Sequence, residues 1–298
     1  MRPGLTLAGL VAGLVIGLTG MGGGALLTPM LVLLFGVDPL VAVSNDVVVS
    51  LILKPIGGAV HLRHGDVDRR IVGWLALGSV PAAFSGVLLL HAIGGQHTKT
   101  LKLLLGVVLL VAAAAIVAKE LLGRSKGTET RPRIHLRRTI AIGVIGGLMV
   151  GLTSVGSGSL MIVLLLLLYP NLDGRVLVGT DLVQAIPLVA SAAAGHLIFG
   201  EFRLAIALPL LLGAVPGVYL GARVSSRAHN RWLRPVLAFT LCASALKLLN
   251  VGGPPFTLAV VGAAVVLVTS TLRTGRRMQP VPGLVLDQAP VGVGPAGA

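Results

Sequence analysis

The sequence predicts an all-α fold: a polytopic transmembrane helical bundle of two inverted repeats, each opening on a broken or re-entrant helix. Three observations predict it. The apolar residues fall in long runs, the positive charge sits in alternate connections, and the two halves of the chain match each other residue by residue.

Of the 298 residues, 55% are hydrophobic and 11% charged, against about 45–50% and about 25% in a soluble domain. Runs such as 101–118 and 161–169 are continuous rather than alternating, the pattern of lipid-facing spans and not of a soluble core. The net charge of +14 invites a nucleic-acid reading, but the basic residues lie in short connections and aromatics are only 3%, which excludes it. The single Cys242 rules out a disulfide within the chain and cannot build a zinc or iron–sulfur cluster. No metal and no cofactor is therefore expected. Residues 1–20 resemble a signal peptide, but no cleavage-site pattern follows and the apolar run continues, so the segment is read as retained.

Eight apolar blocks run over about 4–35, 39–62, 71–91, 99–118, 138–169, 174–199, 203–223 and 231–250, with a ninth over about 254–272. Blocks 4–35 and 138–169 are too long to be simple spans. A straight helix of about 32 residues would reach about 48 Å, against about 30 Å of hydrocarbon. Each carries a glycine cluster at its centre, so each is expected to break there. Loop charge argues the same way. Segments 62–70, 119–138, 223–234 and the tail after Arg273 are basic, whereas 92–98, 199–202 and 250–254 are not. The basic set belongs in the cytoplasm, and the parity works only if both long blocks enter and leave on one side. The expected organisation is a first repeat (1–122), a basic cytoplasmic linker (123–137), a second repeat (138–250), an extra transmembrane helix (251–272) and a disordered cytoplasmic tail (273–298). The protein is expected to be multi-pass in the cell membrane, with 119–138 and the tail in the cytoplasm.

The halves align at an offset of 134 and then 135. Gly13, Gly17, Leu18, Thr19, Gly22 and Gly24 match Gly147, Gly151, Leu152, Thr153, Gly156 and Gly158; Asp46 then pairs with Asp181, His61 with His196, Pro81 with Pro216 and Gly86 with Gly221. An odd number of crossings per half places the second copy upside down, as in many secondary transporters, whose site lies where broken helices meet.

The runs Gly17-Leu18-Thr19-Gly20-Met21-Gly22-Gly23-Gly24 and Gly151-Leu152-Thr153-Ser154-Val155-Gly156-Ser157-Gly158 resemble the two signature turns of the sulfite exporter TauE/SafE family. Gly179-Thr180-Asp181-Leu182 resembles its second element; in the first half Ser44-Asn45-Asp46 stands where Gly-Thr-Asp is typical. The resemblance covers about residues 5–250. It implies export or exchange of anions such as sulfite, thiosulfate or organosulfonates.

The residues offer matching chemistry. A helix starting after a glycine turn presents unpaired N–H groups and a positive dipole end, a natural anion site. Candidate substrate ligands are Thr19, Gly20, Gly22, Gly23 and Gly24 in the first turn, and Thr153, Ser154, Gly156, Ser157 and Gly158 in the second. Close helix packing is the alternative role of such glycines. Lys54 lies in an apolar run, where a charge costs about 2.5–3.5 kcal/mol on insertion scales. It is either the counter-charge for an anion or half of a structural ion pair with Asp46 or Asp181. Asp46, Ser50 and Lys54 share a helix face at i, i+4, i+8. Asp46 and Asp181 are candidates for proton or ion coupling, although their places before apolar runs favour helix N-caps. His61 and His196 are further coupling candidates, with an interfacial position the simpler reading. Asn45, Thr180 and Gln184 complete the polar candidates.

Together these point to a secondary transporter of small anions working by alternating access, with an anion channel or a membrane-embedded enzyme as alternatives. No G-x-x-x-x-G-K-[ST], G-x-S-x-G or H-E-x-x-H pattern occurs, so neither ATP drive nor hydrolysis is indicated. The expected partners are a small anionic substrate, the lipid bilayer and a second copy in a homodimer, with no nucleic acid.

Overall fold

The computed structural model describes residues 3–19, 26–64, 67–94, 98–122, 132–155, 157, 158 and 160–225, with Cys242, Ala245, Leu246 and Leu249. Its helices are α1 (Pro3–Thr19), α2 (Leu27–Leu34), α3 (Pro39–His64), α4 (Arg69–Gly94), α5 (Thr98–Leu122), α6 (Leu136–Thr153), α7 (Leu160–Leu168), α8 (Gly174–Phe199) and α9 (Leu204–Ser225). Within α4, α6, α8 and α9 lie four segments long and apolar enough to cross a membrane. Leu77, Leu103, Leu167, Ile198 and Leu204 point outward, the placement expected where lipid is the solvent. The expected blocks 231–250 and 254–272 and the tail lie almost wholly outside the described residues.

Both long blocks break where the glycines cluster, and both fold back. At the mouth of the first, a Cβ on Gly4 would lie 3.3 Å from the Phe35 ring, so the start of α1 meets the end of α2. At the mouth of the second, the Tyr169 hydroxyl bonds Thr139 Oγ1 at 2.6 Å and its ring stacks on His135 at 6.2 Å. The start of α6 thus meets the end of α7. The two ends of each block therefore lie together.

The turn of the second hairpin shows how the break is made. Helix α6 ends at Ser154, whose φ of 61° is left-handed and whose N–H still bonds Val150 O. The Thr153 hydroxyl donates back to Met149 O at 2.8 Å and accepts from the Val155 N–H at 3.2 Å. It thereby satisfies groups the helix end would orphan. Gly158 follows at φ 97°, a backbone only glycine adopts without strain.

The packing obeys the sequence repeat. Helix α1 lies along α9, α6 along α4, and α3 against α8. Added Cβ atoms at Gly9 and Gly13 would strike the carbonyls of Leu210 and Ala214; at Gly143 and Gly147 they would strike those of Leu75 and Ser79. Each pair is carried onto the other by the 134/135 offset. The same holds for Gly78 against Ile140 and Gly213 against Thr6, and for Gly86 against Leu148 and Gly221 against Leu14. Backbones therefore touch directly along both seams, as small residues allow in membranes. The α3–α8 pair is antiparallel: Asp68 N, just past the end of α3, donates to Thr180 Oγ1 near the start of α8 at 3.0 Å. Its counterpart by the offset, Arg203 N past the end of α8, donates to Asn45 Oδ1 near the start of α3 at 3.3 Å.

One expectation is corrected. Asp46 and Asp181 are not caps, because both helices begin earlier. The N-cap of α8 is Asp173, whose side chain accepts from Arg175 N at 2.7 Å. Asp38 does the same for Leu40 N at 2.9 Å before α3, with Pro39 at the favoured first helical position. The two aspartates of the membrane interior lie two turns further in.

A candidate anion site where the hairpins meet on α3

Helix α3 is about 39 Å long at 1.5 Å per residue, and Asp46 and Lys54 flank its midpoint within roughly 8 Å. Both side chains are buried, with Lys54 7% exposed and Asp46 0%. The sequence places them on one face, and that face meets both hairpins.

The Asp46 carboxylate is the junction. Thr28 Oγ1 on α2, the returning arm of the first hairpin, donates to Oδ2 at 2.6 Å. Ser50 Oγ, one turn along α3, donates to Oδ1 at 3.3 Å. The Ser154 side chain at the turn of the second hairpin bonds it as well. Three hydroxyls from three elements converge on one acid.

Lys54 Nζ donates to Ser157 Oγ in the second turn. Asp46 and Asp181 both lie within its electrostatic reach, but among the described residues the salt bridge is the exposed Arg203–Glu201 pair at 3.8 Å. The ammonium thus faces the hairpin turn, with one of its three donors on Ser157. On α8, Asp181 and Gln184 are one turn apart and both buried. Gln184 Nε2 donates to Ser79 Oγ on α4 at 2.6 Å, while its Oε1 has no hydrogen-bond partner among the described residues.

The remaining candidates fall elsewhere. Asn45 donates to Val41 O at 2.7 Å and accepts from Arg203 N, while Thr180 accepts from Asp68 N; these two fasten the ends of α3 and α8. Thr153 closes α6. Thr19 ends α1, while Gly20, Gly22, Gly23, Gly24 and Gly156 lie outside the described residues. His61 belongs to α3, and its side chain also lies outside them.

His196 sits in the last turn of α8 with its side chain buried. Its Nε2 bonds Gly151 O at 3.1 Å and its Nδ1 bonds Ser44 Oγ at 3.0 Å. Ser44 Oγ in turn accepts from Glu201 N at 3.2 Å. The chain of bonds is complete with a neutral ring protonated on Nε2, and it ties α3, α6 and α8 together. The signal for this latch was Ser44, a hydroxyl on the buried α3, which sequence reasoning passed over. Thr28 and Ser50 were visible as hydroxyls, but the sequence does not show that both reach Asp46. Among the described residues no three His, Cys, Asp or Glu side chains gather as a metal-binding group.

A helical bundle with four segments apolar enough to cross a membrane and buried charges between its helices is the build of a multi-pass membrane transporter. The chain belongs to the sulfite exporter TauE/SafE family, whose profile matches residues 5–248. It is similar to the probable membrane transporter protein YjnA of Bacillus subtilis (strain 168), at 38% identity over 256 residues covering 84% of this chain and 100% of YjnA. The probable membrane transporter protein YdhB of the same organism is 24% identical over 243 residues, covering 80% of this chain and 96% of YdhB. YunE, likewise named a probable membrane transporter protein, is 22% identical over 271 residues, covering 83% and 97%. No solved structure matches.

Proposed function

We propose that this protein is a secondary transporter of small sulfur oxyanions or organosulfonates, such as sulfite, thiosulfate or sulfoacetate, carried as exporter or exchanger by alternating access. The substrate sits between the two glycine-rich breaks, held by the Lys54 charge, the Ser154 and Ser157 hydroxyls, Gln184 and backbone N–H groups of the two glycine-rich segments. The observation that carries the reading is the convergence of both hairpins on Asp46, one turn of which also receives Lys54. A buried cation beside fixed hydroxyl and amide donors can recognise an oxyanion, since charge-assisted bonds to such groups are the strong ones. The family resemblance narrows oxyanions to those of sulfur.

The build supports alternating access. The hairpins are held to α3 by side-chain bonds, whereas α1–α9 and α4–α6 interlock backbone to backbone. The side-chain contacts are the ones that can exchange while the seams move as rigid pairs. The test is a thermal-shift screen of purified protein against sulfite, thiosulfate, sulfoacetate, phosphate and chloride, followed by uptake of the stabilising anion into proteoliposomes. Selective stabilisation by a sulfur anion with saturable counterflow supports the proposal. Non-saturating flux would favour a channel, and no response to any anion would remove the proposed substrate class.

A further inference from the structure

We propose that the end of the α4–α6 pair where both helices begin binds the headgroup of an anionic phospholipid, held by Arg69, Arg70, Arg137 and Arg138. The site is separate from the interior cluster and independent of what is transported.

Packing brings the four arginines together. Added Cβ atoms at Gly143, Gly147 and Gly151 would strike the carbonyls of Leu75, Ser79 and Ala83 in turn. Both helices advance the same way along this seam, so α4 and α6 are parallel and start at one end. The same spacing in sequence sets Arg69 against Arg137 and Arg70 against Arg138. Two connections far apart in the chain, 62–70 and 119–138, thus deliver arginines to one place. All four are exposed. Among the described residues none of them forms a salt bridge, the pair found being Arg203–Glu201. Asp68, the acid next to Arg69 in the chain, is buried and turned to the backbone, accepting from Arg70 N at 2.9 Å and Ile71 N at 3.2 Å.

Helix stability does not account for this placement. The four arginines stand in the first turns of α4 and α6, and neither first turn holds an acid. A helix start is the positive end of its dipole, where a cation is unfavourable. The charge bias of loops asks for basic residues somewhere in a connection, not in the first turns of two adjoining helices. The repeat supplies a comparison within the molecule. The α1–α9 seam is the equivalent parallel pair, and there the 134/135 offset sets Pro3 and Gly4 against Arg137 and Arg138, and Leu204 and Ala205 against Arg69 and Arg70. A seam of this kind therefore forms without the arginines.

The surroundings select a lipid. Arg70, Trp74 and Leu77 share one face of α4 at i, i+4, i+7, and Trp74 and Leu77 point outward. Arg137 stands likewise above the outward Val144 and Ile145 on α6. An outward tryptophan one turn below the charges belongs at the boundary of headgroups and hydrocarbon. A phosphate at the guanidiniums then leaves its acyl chains along the apolar faces. Guanidinium pairs with phosphate through two parallel hydrogen bonds, and basic clusters beside spanning helices bind anionic headgroups. Four arginines suit a headgroup carrying two phosphates, as in cardiolipin.

The full-length protein is purified in a neutral detergent and titrated with cardiolipin, phosphatidylcholine or inorganic phosphate. Bound lipid is counted by native mass spectrometry, and the melting temperature is followed in parallel. Cardiolipin should bind and raise the melting temperature, less so at high salt, and phosphatidylcholine should do neither. An arginine near an anionic surface is worth about fivefold in binding, so Arg69→Gln with Arg70→Gln, or Arg137→Gln with Arg138→Gln, should each weaken cardiolipin binding about thirtyfold. Without lipid, both double variants should melt at or above the parental temperature, since each loses two cations from a helix start. The single variants Arg70→Gln and Arg137→Gln read the same effect at about fivefold each if a double variant does not fold. Cardiolipin affinity within about twofold of the parent in these variants, or phosphatidylcholine bound as tightly as cardiolipin, would overturn the inference. Inorganic phosphate stabilising the protein as strongly as cardiolipin would assign the patch to soluble anions and overturn the lipid assignment.

Discussion

Replacing Lys54 by glutamine removes the charge and leaves a polar side chain one bond shorter. An anion seated about 4 Å from the ammonium gains about 4 kcal/mol at an effective dielectric near 20. Glutamine recovers part of this by hydrogen bonding, and water entering the open states weakens the rest, so about half is expected to be lost. A loss of about 2 kcal/mol is roughly a thirtyfold weakening. The assay is equilibrium binding of labelled thiosulfate to purified protein, read by scintillation proximity. The variant also leaves Asp46 and Asp181 without the intervening cation, so its melting temperature should fall. Asp46→Asn added to Lys54→Gln should restore part of the loss, because the two charges act as a unit. Affinity within about threefold of the parent, less than ~1 kcal/mol, would refute the assignment of Lys54 to the substrate.

Other outcomes follow from single contacts. Thr28→Val removes a hydroxyl bond to a charged group, worth about 1.5–3 kcal/mol, and should lower the melting temperature measured by fluorescence-detected gel filtration. Gly147→Val drives a side chain into the Ser79 carbonyl and should abolish the folded peak. By contrast Gly73→Ala, in open space within α4, should be neutral or stabilise by about 0.5–1 kcal/mol. Asp173→Ala removes the α8 cap and should cost about 1 kcal/mol in the same assay. With Cys242 replaced by alanine, a cysteine at Ser125 should be protected from an impermeant maleimide in whole cells, whereas one at Gln96 should label.

The hairpins were legible because two independent signals agreed. Block length against bilayer thickness demanded a break, and loop charge demanded a return to the same side. The seams were legible only as spacing: Gly9, Gly13, Gly143 and Gly147 recur at i, i+4, but which carbonyl each meets is a tertiary fact. The acids were misread because a residue before an apolar run looks like a cap. The real caps, Asp38 and Asp173, stand at the same 135 offset, and Asp38-Pro39 carries the sharper start signal. The contacts of His196 were not legible, because its neighbourhood ends in Gly200 and Glu201, a connection by composition, yet Ser44 reaches it from a helix 152 residues away in the chain. Lys54 was found by its cost in an apolar run, a penalty that the sequence states without saying who offsets it.

The junction at Asp46 can be tested by joining the two side chains that reach it from opposite hairpins. Cysteines at Thr28 and Ser154, in a background with Cys242 replaced by alanine, are oxidised in native membranes and assayed for thiosulfate transport. The account expects a reducible cross-link that stops transport and forms more slowly when thiosulfate is saturating. Cysteines that do not cross-link, or a cross-linked protein that transports at the parental rate, would contradict it.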